Sequence, residues 1–181
     1  QAPRVAVAHA TVRAEPVPRS PRIVLAGGLG LVGTLGAAPD PSVGLTLAVA
    51  ASRGRMSIGL EGRIDRAAGV DAGPGRVAAA PFFAAVVGCF ELRARLCALA
   101  GIGRLRGEGT GFGIDRKDSS LLVLFGARVG WPLRAGPVRL IPHLDVLVPA
   151  ATTDLQVDGA TIWRQPAVQG AVGLAVEAHF L

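Results

Sequence analysis

Tyrosine is absent from this chain of 181 residues, lysine occurs once, at Lys117, and the aromatics amount to six Phe and two Trp. Nucleic-acid binding calls for basic residues clustered on a face with aromatics between them. Here the positive charge is almost wholly arginine, scattered singly, so a formal charge of +6 does not imply a nucleic-acid partner. Long apolar blocks are missing too. A spanning helix needs about 20 apolar residues, and the best candidate, residues 23–38, is short, glycine-rich and stopped by Pro39 and Pro41. Only two cysteines occur, without CxxC spacing or an adjacent histidine, which excludes the common metal patterns. There is no GxSxG nucleophile motif and no GxxxxGK[ST] phosphate loop. The acids of residues 107–118 do not fit a calcium loop either. Gly28-Leu29-Gly30-Leu31-Val32-Gly33 does match GxGxxG, but the prolines after it forbid the helix that a dinucleotide site requires. Glycines there serve strand curvature and close packing inside. No cofactor and no metal is expected.

What the chain does have is hydrophobicity without a hydrophobic block. Half of its residues are apolar and its mean hydropathy is +0.46. A membrane barrel shows that combination because lipid-facing residues are diluted by lumen-facing ones. The last stretch is the clearest instance. Val168, Val172, Leu174, Val176, Ala178 and Phe180 share one face under a period of two, while Gln169, Gly173, Glu177 and His179 share the other.

Strands are expected at residues 22–36, 42–51, 55–66, 76–87, 94–106, 119–132, 137–149 and 167–181, eight in all. In the third, Met56, Ile58, Leu60 and Ile64 alternate with Arg55, Ser57, Glu61, Arg63 and Asp65. In the seventh, Val138, Leu140, Leu144, Val146 and Val148 oppose Arg139, His143 and Asp145. A helix would need apolar residues at a spacing of three to four, which these segments lack. Pro81 is awkward inside the fourth. Connections at 52–54, 92–93 and 133–136 are tight, whereas 66–75, 107–118 and 150–166 are longer; 37–41 is short against that trend. Short turns on one rim and long loops on the other describe an up-and-down barrel. Residues 1–21, with Pro3, Pro16, Pro18 and Pro21, read as an extended linker ahead of a barrel over 22–181.

On these features the chain resembles the small eight-stranded outer-membrane barrels, the OmpA-, OmpX- and OmpW-like group, over residues 22–181. The resemblance implies an all-β, antiparallel, transmembrane β-barrel in the bacterial outer membrane with periplasmic termini. It implies contact with outer-membrane lipid and lipopolysaccharide. It also implies a C-terminal signal, Val176, Ala178 and Phe180, read by the barrel-assembly machinery; in this chain Leu181 follows the aromatic. Members of aromatic girdles would come from Phe82, Phe83, Phe90, Phe125, Trp131, Trp163 and Phe180.

Charged residues on the polar faces are the candidate site. Arg55, Glu61, Arg63, Asp65, Arg95, Arg128, Arg139, His143, Asp145, Glu177 and His179 supply both signs, so a lumen network of ion pairs can tolerate burial. His143 and His179 with Asp145 and Glu177 also allow a second reading, a lipid-modifying barrel enzyme. Cys89 and Cys97 flank a hairpin turn and are expected to form a disulfide rather than remain free thiols. The expected function is non-enzymatic: envelope structure, anchoring or surface interaction, with limited small-solute passage. A third reading, a soluble lipocalin-like carrier, stays open because alternation alone does not say which face is inside.

Overall fold

A computed structural model describes residues 22–67, 69–72, 75–111, 116–157 and 160–180. The expected linker at 1–21 and the terminal Leu181 lie outside them. Twelve strands are formed: β1 (Ile23–Leu35), β2 (Ser42–Arg53), β3 (Met56–Ala67), β4 (Val70–Ala72), β5 (Gly75–Glu91), β6 (Arg95–Thr110), β7 (Arg116–Gly130), β8 (Leu133–Ala135), β9 (Val138–Pro149), β10 (Asp154–Val157), β11 (Ala160–Arg164) and β12 (Gln169–Phe180). Eight of them, β1, β2, β3, β5, β6, β7, β9 and β12, pair antiparallel in chain order. The ring closes because β12 pairs with both β1 and β9. Each of the eight ring strands therefore has a neighbour on both sides, the way a sheet can satisfy its backbone in lipid.

The alternation resolves with the apolar side outward. Ile23, Leu29, Leu45, Leu47, Met56, Ile58, Leu60, Val86, Ile102, Phe125, Val146, Val172 and Leu174 are all exposed, forming a belt around the ring. Glu61, Arg63, Asp65, His143 and Asp145 are buried inside. A soluble carrier needs the reverse arrangement, so that reading is corrected here by the direction of the side chains.

Tight hairpins close one end. Gly54 and Gly136 each take a φ of 64°, the left-handed value that two-residue hairpins require. Both described chain ends, at β1 and β12, lie at this turn end. At the other end the strands run further than expected. Segment 107–118 is mostly ladder, since β6 extends to Thr110 and β7 begins at Arg116. Segment 66–75 contains β4, and 150–166 contains the β10–β11 hairpin.

The two mid-strand prolines sit where one ladder stops. The β3–β5 ladder ends at Ile64↔Phe82, just before Pro81, and β4 resumes pairing at Val70↔Val77. Five positions separate Ile64 from Val70 while four separate Phe82 from Val77, a one-residue offset beside a residue with no N–H to donate. Pro142 in β9 likewise follows the last β7–β9 pair, Gly130↔His143.

Candidate functional site

The side chains inside the barrel are arranged along its axis. Nearest the turn end, the Arg95 guanidinium donates to Glu177 (Nη1–Oε2, 2.7 Å) and to Glu91 (Nη2–Oε2, 3.0 Å). Arg139 donates to the same Glu91 at 3.2 Å, and His179 Nε2 lies 3.3 Å from Glu177 Oε1. Deeper in, Arg128 bridges Glu61 (Nη1–Oε2, 2.6 Å) and Asp145 (Nε–Oδ1, 2.7 Å). Arg63 Nη1 is 3.7 Å from Asp145, and its Nη2 donates to Asp65 Oδ2 at 2.8 Å. Thr34 accepts from Arg63 and donates to Asp65 (3.0 Å), while the Arg63 guanidinium lies 5.5 Å from the Phe83 ring centroid.

Charges alternate in sign along each run: Arg139, Glu91, Arg95, Glu177 at the turn end, then Glu61, Arg128, Asp145, Arg63, Asp65 in the middle. Each buried carboxylate of the inner run meets a guanidinium, the condition under which burial of charge is tolerable. Strand parity delivers these residues to the interior, and glycine makes room for them. A Cβ on Gly44 would collide with the Asp65 carboxylate, and one on Gly173 with the His143 imidazole. Gly30, from the GxGxxG match, faces the lumen where a Cβ would press on Thr46 and the Leu174 carbonyl.

Of the residues singled out by sequence, Glu61, Arg63, Asp65, Arg128 and Asp145 form one connected group, and Arg95, Arg139, Glu177 and His179 another. His143, 3% exposed, is apart from His179: its Nδ1 faces the Ile141 carbonyl oxygen at 3.2 Å. The two histidines therefore form no dyad. Arg55 lies in the β2–β3 turn, exposed, on the wall of a turn-end vestibule of about 190 Å³. Val176 and Phe180 are exposed on the outer face of β12, with Ala178 between them. Cys89 and Cys97 are register partners on β5 and β6 and form a disulfide on the lumen side of the hairpin. Glu91 and Thr34 belong to the network although alternation does not single them out. Glu91 is legible as the residue two beyond Cys89 on the same face.

Beyond the vestibule the lumen narrows to a cavity of about 90 Å³ lined by Thr46, Glu61, Arg128 and His143. Past the inner ion pairs, Phe83, Leu122, Leu124 and Leu147 pack together. Trp163 of β11 then folds against Ala38, Ala79 and Leu105 at the loop end. Two girdle assignments are corrected by this packing. Phe83 points inward, 4% exposed, next to the outward Phe82, and Trp163 belongs to the cap over the lumen rather than to the lipid face.

A closed ring of eight antiparallel strands with an apolar exterior and an ionic interior is a transmembrane β-barrel of the small outer-membrane type. No protein-family model and no curated relative matches the sequence. Solved structures do share the fold. A major outer membrane protein from Thermus thermophilus superposes with a TM-score of 0.57 at 14% identity, covering 87% of this chain and 99% of that one. Neisserial surface protein A gives 0.53 at 10% identity, covering 87% and 97%. Ail, the attachment invasion locus protein of Yersinia pestis, gives 0.52 at 13% identity, covering 89% and 99%.

Proposed function

We propose that this chain is a non-enzymatic integral protein of the bacterial outer membrane, with its turns and termini in the periplasm and its long loops outside. The inversion of faces carries this reading: a belt of exposed Leu, Ile, Val and Phe surrounds an interior of paired charges. In water such a belt would drive aggregation, whereas in a bilayer it is the contact surface. The interior favours a structural or anchoring role, or surface interaction through segment 150–166, over an open pore. Small-solute passage is limited to what can pass the ion pairs and the Trp163 cap. The outward ridge Val176, Ala178 and Phe180 on β12 is the segment offered to the assembly machinery. A lipid-modifying activity gains no support from His143, which sits inside the lumen, behind the wall that faces lipid.

Refolded protein in mild detergent, run on SDS gels boiled and unboiled, tests the barrel. The expected result is a heat-dependent mobility shift. Whole-cell proteolysis then tests orientation, with cleavage expected within 150–166 and an N-terminal tag protected. No shift, together with solubility in the absence of detergent, would overturn the membrane reading.

A further inference from the structure

The outer surface is not uniformly apolar. On β1, β2, β9 and β12 the lipid-facing residues stay apolar up to the loop end, through Leu35, Val43, Val148 and Val172. On the opposite side, β3, β5 and β6 carry arginines on that same outer face. Arg104 is the register partner of both Phe82 and Leu121, which are 52% and 67% exposed. It therefore stands in the top row of the apolar belt, with an exposed hydrophobe on each side. One row further out, Arg106 is the partner of Ala80. Arg66, two residues beyond Ile64 on the same face of β3, lies just past the last β3–β5 pair, Ile64↔Phe82, opposite Val43 of β2.

All three arginines are exposed. Among the described residues, none has an ion-pair partner, in contrast to the lumen arginines and to Arg76, which reaches Asp71 at 3.4 Å. Arg104 and Arg106 are about 7 Å apart along the strand, and Arg66 stands across β5 from them. Between them β5 presents the small residues Ala78 and Ala80 on its outward face, both half-buried. Glu108 is one row further from the belt, opposite Ala78.

We propose that Arg66, Arg104 and Arg106 bind the phosphorylated disaccharide headgroup of lipid A. The proposal rests on the orientation given above, which puts the loop end in the outer leaflet. Three guanidiniums without an acidic partner among the described residues exceed what a single phosphodiester can neutralise, and they match a sugar carrying two phosphates. The small side chains of Ala78 and Ala80 leave room for the sugar, and the belt below them takes the acyl chains. Arginine suits this role because its planar fork grips phosphate oxygens in pairs.

The full chain, refolded in detergent, would be mixed with bisphosphorylated lipid A and the retained lipid counted by native mass spectrometry. Dephosphorylated lipid A and phosphatidylglycerol serve as competitors. The triple variant R66Q/R104Q/R106Q is compared with R53Q/R93Q/R134Q, which removes as much charge from the turn end. Each arginine removed should weaken retention about five-fold, so the first triple loses roughly 100-fold, while the second matches wild type. Equal losses in the two triples, or phosphatidylglycerol competing as well as lipid A, would overturn the site. A folded, heat-shifting protein that retains no lipid A sinks this proposal alone; a protein that never shows the shift sinks the membrane reading with it.

Discussion

Single residues matter most where a charge is held away from water. Arg63 is 2% exposed and is the cation on Asp65, while Asp145 is shared between Arg63 and Arg128. Replacing Arg63 with Met keeps much of its volume but leaves the Asp65 carboxylate buried without a counter-charge. Such one-sided removal typically costs about 3–5 kcal/mol. Arg63→Met should therefore lower the stability measured by urea unfolding from detergent by that amount. Arg164→Met, at the exposed Asp154 pair of the β10–β11 hairpin, should leave it unchanged. If the two variants unfold at the same urea concentration, the lumen pairs are not structural. The face on which Arg63 lies was legible from alternation, since Ile64 had to turn the other way. Asp65 shares that face two positions on, but the partners on other strands were not legible, because Thr34 is 29 positions away in sequence and Phe83 lies on β5. A period of two states which residues share a face and says nothing of which strands meet across the interior.

At the level of elements, the β5–β6 hairpin joins local and covalent order. Its ladder is continuous from Arg76↔Thr110 to Glu91↔Arg95, and the disulfide ties directly opposed residues near the turn. Bridging eight positions restrains the unfolded chain by about 2–3 kcal/mol in the loop-entropy account. The double variant C89A/C97A should still form the barrel and show the heat shift. Its transition temperature should fall by an amount that wild type under reductant reproduces. A variant indistinguishable from oxidised wild type would mean that the bond adds nothing the ladder does not already provide. Strand positions were largely readable, because turn residues such as Gly54 and Gly136 punctuate runs of alternating polarity. The loop-end extensions were missed because glycine and charge in segments such as 107–110 look like loop, while in the fold their backbone is paired with β7. The Phe82–Phe83 step was ambiguous for a different reason: adjacent aromatics must face opposite ways, and only packing against Leu122 and Leu124 decides which one goes in.

For the molecule as a whole, the lumen is obstructed three times in series. The ion pairs around Arg63 and Arg128 fill its middle, Phe83 with Leu122, Leu124 and Leu147 packs beyond them, and Trp163 with Ala38, Ala79 and Leu105 seals the loop end. Eight strands leave an interior just wide enough for side chains to fill, so any one obstruction alone should stop a sugar. This makes a prediction about redundancy. Proteoliposomes of the wild type should take up no arabinose in a swelling assay. Trp163→Gly should also show no uptake, since the inner charges remain. The inner double variant R63S/D65S removes a guanidinium and a carboxylate together and avoids an orphaned charge, but it retains the cap and should stay closed. The triple variant W163G/R63S/D65S keeps Arg128 bridged to Glu61 and Asp145 and keeps the Phe83, Leu122, Leu124 and Leu147 cluster, so it too should stay closed. Swelling by Trp163→Gly alone would mean that the ion pairs and the Phe83 cluster admit solute. Swelling by the inner double variant alone would mean that the Phe83 cluster admits solute and the β11 cap opens freely, and segment 150–166 would then be a gate rather than a seal.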